Sequence, residues 1–271
     1  MKNILVPTDF SDNANKALDV AMALAKRFNA NLHLIHTYHT STPTGHMANV
    51  NRVIKEDRDK EMAAFLTQVK ATAPEGVAIE GVCRHGYPIE TIEREIERVS
   101  ADLLVMGTLG ASNVAKKVWG STASKLVKIN KVPVLAIPME TSYKDLENMV
   151  LAVDALDLTV LNTLNPALNL VQASRLSLQL LHVSTTSQDS DMDESIDDYL
   201  KNMAIPFSYH KVVSDEVLEG ILNFAREQKG SVLCLVAHQR GWFENLFHSS
   251  VSQQIALQSD LPVLIIPGKK A

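Results

Sequence analysis

The stretch that decides the fold is VMGTLGASNVAKKVWGSTASKLV, residues 105–127. It begins with the end of a short apolar run, passes through three glycines and ends with apolar residues at helical spacing. Two residues separate Gly107 from Gly110, nine more separate Gly110 from Gly120, and Ser121 follows directly. The pattern predicts a strand, a glycine loop and a helix, in that order.

A loop of this kind favours an anionic ligand. Glycines let backbone N–H groups approach an anion without a Cβ in the way, and the next helix points its unsatisfied N–H groups at the same place. The Ser121 hydroxyl can cap that helix or donate to a phosphate oxygen. Glycines in a loop can also simply form turns, but the full spacing with a helix behind it favours phosphate. Neither the common phosphate loop nor the dinucleotide fingerprint matches.

Composition restricts the class of protein. A length of 271 residues suggests two domains of about 130 to 140 residues. Hydrophobic content of 46% and charged content of 21% exclude a disordered or fibrous chain. A net charge of -5 and a pI near 6.0 argue against general nucleic-acid binding, because no basic stripe is available to neutralise phosphates.

Targeting signals are not predicted. The N-terminus turns polar after five residues, and no apolar run approaches the length of a membrane span. Cys83 and Cys234 each lie inside an apolar run, which is typical of buried thiols in a reducing compartment. We therefore expect a cytoplasmic protein.

The chain repeats one plan twice. LAVDALD at 151–157 matches ILVPTDFSD at 4–12, LQLLHV at 178–183 matches LHLIHT at 32–37, and LPVLIIP at 261–267 matches VPVLAIP at 132–138. Apolar strands alternate with amphipathic helices, which is typical of a parallel sheet covered on both faces. The prediction is an α/β protein with domains at 1–140 and 148–271, joined by a polar segment.

The glycine spacing resembles the ATP-binding signature of the universal stress protein family, and the tandem plan extends that resemblance over almost the whole chain. The resemblance implies two tandem doubly wound sheets of five parallel strands, adenine-nucleotide α-hydrolase-like, with strand order 3-2-1-4-5. It places an ATP site at the carboxyl ends of the first and fourth strands. Open α/β sheets also bind ligands at this switch in strand order on physical grounds.

The resemblance carries nine candidate binding residues onto this chain. It implies that Asp9 contacts the adenosine part of ATP, that the backbone at Thr37 meets the adenine, and that the glycine loop holds the phosphates and ribose. Alone, Asp9 is better explained as a capping or loop acid, but its place across the strand-order switch from Gly107 favours binding. The full set is Pro7, Thr8, Asp9, Thr37, Gly107, Gly110, Gly120, Ser121 and Thr122.

No pattern indicates a metal centre or a catalytic group. His33 and His36 fall on opposite faces of a strand, so one metal cannot easily take both. His36 has a counterpart in His182 and is interpreted as structural. No serine lies on a Gly-x-Ser-x-Gly turn, and nothing identifies a general base. The expected ligand is ATP, with magnesium left open. The resemblance implies a nucleotide-responsive regulatory protein of the stress response. A slow ATPase and an interaction protein with a relic nucleotide site remain as alternatives to it.

The second copy departs from the pattern. Gly241 aligns with Gly110, but His238 and Ser249 replace Gly107 and Gly120, and the loop between is two residues shorter. We therefore expect one nucleotide per chain, in the first half. The last strands, 132–137 and 261–266, are expected to meet in an intramolecular pseudo-dimer, with a homodimer left open. The polar stretch 39–51 is predicted to act as a lid.

Overall fold

The structure is a computed structural model that describes residues 1–39, 48–109, 120–129, 132–153, 158–185, 194–237 and 259–267. In chain order the elements are β1 (Asn3–Pro7), α1 (Asp12–Phe28), β2 (Asn31–Tyr38), α2 (Ala48–Thr72), β3 (Ile79–His85), α3 (Pro88–Val99), β4 (Leu103–Gly107), α4 (Ser121–Ile129), β5 (Val134–Ile137), the 3-10 helix η1 (Tyr143–Asp145), β6 (Asn148–Val153), α5 (Leu158–Ser174), β7 (Ser177–Ser184), α6 (Glu194–Asn202), β8 (Phe207–Val213), α7 (Val217–Glu227), β9 (Ser231–Ala237) and β10 (Val263–Pro267).

The sheet is covered on both faces. Strand side chains alternate between the faces, so Ile4 and Val6 of β1 join one apolar core while Leu5, between them, joins the other. Helices α1, α2, α5 and α6 contribute to the first core, and α3, α4 and α7 to the second. This double covering explains why the strands are apolar along their whole length rather than at alternate positions.

All ten strands belong to one sheet in the order β3-β2-β1-β4-β5-β10-β9-β6-β7-β8. Each half therefore has the order 3-2-1-4-5 that the family resemblance implies, and the pairs within each half are parallel. The halves join where β5 and β10 run antiparallel, with Leu264 opposite Leu135. The two five-stranded units thus share one continuous sheet.

Several element ends differ from the sequence-based boundaries. The sequence pattern puts Thr37 just past the second strand, but Thr37 lies inside β2. The helix α2 already begins at Ala48. The end of the predicted lid is therefore helical, and residues 40–47 of it lie outside the described part of the chain. Ser11 caps α1, because its hydroxyl accepts from the Ala14 N–H at 3.3 Å.

The repeat extends to a hydrogen bond. Nδ1 of His36 lies 2.9 Å from the carbonyl oxygen of Thr8, and Nδ1 of His182 lies 3.2 Å from that of Val153. Thr8 and Val153 occupy the same position in the two copies, immediately before an aspartate. Both histidines therefore contact a carbonyl at the carboxyl end of the first strand of their half, which agrees with a structural role.

The two cysteines are buried and free. Burial raises the pKa of the Cys83 thiol to about 11, and burial also raises the pKa of the Cys234 thiol. Both are therefore inert, protonated thiols near neutral pH. None of the helices in the described ranges is long and apolar enough to cross a membrane.

Candidate functional site

A cavity of about 330 Å³ opens at the carboxyl ends of β1, β2 and β4, where the strand order of the first half switches direction. Eight of the nine predicted residues line it: Pro7, Thr8, Asp9, Thr37, Gly107, Gly120, Ser121 and Thr122. The ninth, Gly110, lies outside the described residues. Residues far apart in sequence are brought together because parallel strands end at the same edge of a sheet.

The turn after β1 fixes the position of Asp9. The Thr8 hydroxyl accepts from the Phe10 N–H at 3.0 Å, and the Asp9 carboxylate accepts from the Ser11 N–H at 3.1 Å. Phe10 has a positive φ of 62°, which is rare for a bulky residue. Its ring packs 4.6 Å from that of His36, which compensates for this strained backbone. Asp9 is thereby held at the cavity wall.

Helix α4 presents its N-terminus to the cavity. The first intrahelical hydrogen bond runs from the Ser124 N–H to the Gly120 carbonyl at 3.0 Å, so the N–H groups of residues 121–123 precede the ladder. Gly120 itself donates to the Thr108 carbonyl at 2.7 Å. Ser121 is thus the first helical residue rather than the cap. Its hydroxyl and that of Thr122 line the cavity beside these N–H groups.

Close packing requires a glycine at position 107, and the sequence does not indicate this requirement. A Cβ on this residue would lie 2.5 Å from Oδ1 and 2.9 Å from the backbone oxygen of Asn13. Asn13 is 5% exposed, and its Oδ1 accepts from the Leu109 N–H at 2.6 Å. The glycine therefore lets α1 approach the end of β4. Sequence reasoning missed Asn13, because an asparagine near a helix start is ordinary on its own.

The remaining wall of the cavity is apolar. Its side chains come from the end of β2, the start of α3 and β4: Ile35, Pro88, Ile92 and Met106. Pro88 lies in the first turn of α3, where a proline is readily accommodated. The cavity thus pairs an apolar wall with a polar wall of hydroxyls and N–H groups, as small-molecule sites commonly do.

A buried carboxylate anchors α3 against β3. Glu95 is 4% exposed and accepts from Arg98 at 2.7 Å and from Arg84 at 3.2 Å. Burial alone would raise the pKa of Glu95, but the hydrogen bonds and charges of the two guanidinium groups outweigh burial and hold that pKa below its ordinary value. This ion-pair network fixes the helix that supplies Pro88 and Ile92.

The Glu95→Gln variant is expected to lower the free energy of unfolding by about 2 kcal/mol at pH 7, because it removes the charge from a buried pair. The folded-state pKa of Glu95 is depressed, so its stabilisation is present above the unfolded pKa and is lost as pH falls through the folded pKa. Urea unfolding should show the two proteins converging in acid. Glu56→Gln, in the exposed pair with Arg52, is the matched control and should change little. A difference that persists unchanged in acid would contradict this assignment.

The two histidines of β2 that were considered for a metal, His33 and His36, have separate partners. His33 contacts Glu80 at 2.6 Å and His36 contacts the Thr8 carbonyl, so the two serve different neighbours. In the described ranges, no group of three or more His, Cys, Asp or Glu side chains is placed to hold a metal ion. The counterpart loop in the second half, including Asp154, Gly241 and Ser249, lies outside the described residues.

Comparison with known proteins identifies the family. The model of the universal stress protein family matches residues 1–138 and 187–267, which is most of the chain. A universal stress protein of Methanocaldococcus jannaschii is 34% identical over 138 residues, covering 50% of this chain and 81% of its own. Universal stress protein YxiE of Bacillus subtilis is 32% identical over 143 residues, covering 49% of this chain and 97% of its own.

A solved structure matches almost the entire chain. The crystal structure of a universal stress protein from Archaeoglobus fulgidus has a TM-score of 0.74 at 19% identity, covering 98% of this chain and 96% of that chain. This likeness concerns the fold, and it includes both halves. The two matched family segments and the tandem fold agree, and the chain therefore belongs to the universal stress protein family.

Proposed function

We propose that this chain binds an adenine nucleotide, with ATP as the first candidate, in the cavity of its first half. The observation that carries the proposal is the meeting of eight predicted residues around one cavity that has both an apolar wall and a helix N-terminus. An N-terminus directs unsatisfied N–H groups and a positive dipole end at an anion, which suits phosphate. The apolar wall suits a base.

The order of strands suggests how the ligand lies. Thr37, Asp9 and Gly107 follow one another across β2, β1 and β4. The Asp9 carboxylate repels phosphate and accepts hydrogen bonds, so it suits the donors of a ribose or a base rather than the phosphates. The phosphates then lie at the far side, against Ser121 and Thr122. This orientation matches the roles that the family resemblance implies.

The cavity favours binding over hydrolysis. Among the described residues that line it, Asp9 has the only carboxylate and no histidine, lysine or glutamine is present to position a water molecule. We therefore propose a nucleotide-responsive regulatory protein of the stress response, whose ligand stabilises one conformation. Slow hydrolysis of ATP is the second candidate.

The second half is proposed to act mainly as a structural partner. The domains at 1–140 and 148–271 would form an intramolecular pseudo-dimer through β5 and β10, which pair in the sheet. Pairing at this place protects the outer edge of each half's last strand. Because Ser249 and His238 replace the glycines of the first loop, the second half is not expected to hold ATP.

Calorimetric titration with ATP tests the proposal. We expect one site per chain and at least about tenfold weaker binding in Gly120→Val, because a β-branched side chain on the cavity wall occupies ligand space and disfavours the helix cap. Ser249→Val, at the aligned position of the second half, is the matched control and should bind like the wild type. A phosphate-release assay with magnesium is run beside it.

The outcomes separate the candidate functions. Equal affinity in Gly120→Val and wild type would exclude this cavity as the site. Loss of binding in Ser249→Val alone would move the ligand to the second half, and two equivalent sites would place one ligand in each half. Steady phosphate release that disappears in Gly120→Val would favour the ATPase. No binding at all would favour an interaction protein with a relic site.

A further inference from the structure

Asn13 bridges the glycine loop and the last strand of the first half. It lies in the first turn of α1 and is 5% exposed. Its Oδ1 accepts from the Leu109 N–H at 2.6 Å, and its Nδ2 donates to the Ile137 carbonyl at 3.1 Å. Leu109 lines the cavity and Ile137 ends β5. One buried amide therefore spans the distance between the ligand site and the strand that meets the second half.

The Ile137 carbonyl accepts a second hydrogen bond, and this one comes from the start of the glycine loop. It accepts from the Thr108 N–H at 3.1 Å, and the Thr108 carbonyl accepts from the Gly120 N–H at 2.7 Å. A carbonyl oxygen has two lone pairs, so both donors can be satisfied at once. Two cavity-lining backbone groups, at Leu109 and Gly120, are thus each connected to one oxygen of β5. The hydrogen bonds of a buried network of this kind polarise one another, and the network as a whole is more rigid.

The network continues into the second half. Ala136, the neighbour of Ile137, pairs with Val263 of β10 across the antiparallel junction. β10 then pairs with β9. A nucleotide that engages Leu109 or Gly120 therefore acts on the junction through a short path of hydrogen bonds.

Only an amide fits the position of Asn13. The site needs one acceptor for an N–H group and one donor for a carbonyl, and the Asn side chain supplies both. An aspartate would keep the acceptor and set a carboxylate against the Ile137 carbonyl. An alanine would leave a buried N–H and weaken the hold on the loop. The two substitutions therefore separate the two connections.

We propose that Asn13 is a positioning residue that couples nucleotide binding in the first half to the stability of the β5–β10 junction. The proposal rests on the proposed function, because it needs a ligand in the cavity. A nucleotide bound against Leu109 and Gly120 stabilises their hydrogen bonds, these hold Ile137 through Asn13 and Thr108, and the junction exchanges its amide protons more slowly. Occupancy of one half is in this way communicated to the other.

Hydrogen exchange followed by mass spectrometry, with and without saturating ATP, tests the coupling. In the wild type we expect ATP to slow exchange in peptides covering 134–137 and 263–267 by about tenfold, the measure of a coupling of typical size. Asn13→Ala should bind ATP about tenfold more weakly and lose the slowing at 263–267 even when saturated. Asn13→Asp should bind closer to wild type and still lose that slowing.

Gln179→Ala is the matched control. Gln179 is also a buried amide, 8% exposed, and donates to Asn148 and Gln228 in the second half, away from the cavity. It should lower stability yet keep the slowing by ATP. ATP binding with no slowing in the wild type, or equal slowing in Asn13→Ala, overturns the coupling alone. Failure of the wild type to bind ATP overturns the proposed function, and the coupling with it.

Discussion

Gly107→Ala is expected to lower the free energy of unfolding by about 3 kcal/mol and to weaken nucleotide binding at the same time. The added Cβ would lie 2.5 Å from Oδ1 and 2.9 Å from the backbone oxygen of Asn13. The Asn13 side chain can rotate away only by giving up its hydrogen bonds to Leu109 and Ile137, and the Asn13 backbone oxygen cannot rotate away at all. α1 must therefore move off β4, and the cavity wall moves with it.

Urea unfolding and ATP calorimetry on the same preparation measure both effects. Gly76→Ala is the matched control, because Gly76 has a positive φ of 84° but space for a Cβ, whose nearest neighbour would be Lys26 Nζ at 3.9 Å. It should cost only about 1 kcal/mol, from backbone strain, and leave ATP affinity unchanged. A fully stable Gly107→Ala protein with normal affinity would mean that α1 and β4 are not packed as closely as the structure has them.

Much of the fold could be predicted from the sequence because its causes are local. Short apolar runs such as LLVMG and VPVLAIP suit strands that are buried on both faces, and the matched order of segments indicates a repeat. The strand order within each half came from the family resemblance and agrees with the structure. Element ends were less certain. Thr37 extends β2, for example, because its pairing with β3 continues to Tyr38.

The candidate site was predictable where backbone chemistry determines it, and not where packing does. Glycines, the serine after them and the aspartate after β1 are visible as a pattern, and the described members line one cavity. Asn13 was not predictable, because its partners lie 96 and 124 residues away. Pro88 and Ile92 have ordinary helical explanations in sequence. Their contribution to the cavity depends on how α3 lies against the sheet.

The segment that connects the two halves makes close contacts with the second half. The segment after β5 passes through η1 and meets Gly230 just before β9. The Gly230 carbonyl accepts from the N–H groups of Glu147 and Asn148, at 2.8 and 3.2 Å. Tyr143 also donates to the Ser174 hydroxyl of α5 at 3.1 Å. This part of the linker is therefore packed against the second half rather than suspended between the two.

Gly230→Ala is accordingly expected to lower the free energy of unfolding by about 4 kcal/mol, which is the sum of a left-handed backbone cost and severe overpacking. Its φ is 63°, and an added Cβ would lie 2.0 Å from the Asp145 carbonyl oxygen. Thermal and urea unfolding measure the loss.

Lys229→Ala, beside Gly230, is the control: it removes only an exposed 4.0 Å contact with Glu147 and should change stability by less than about 0.5 kcal/mol. ATP affinity, measured well below the unfolding transition, should survive in both variants, because the cavity lies in the other half. A cost under about 1 kcal/mol for Gly230→Ala would show that the linker yields to the added side chain.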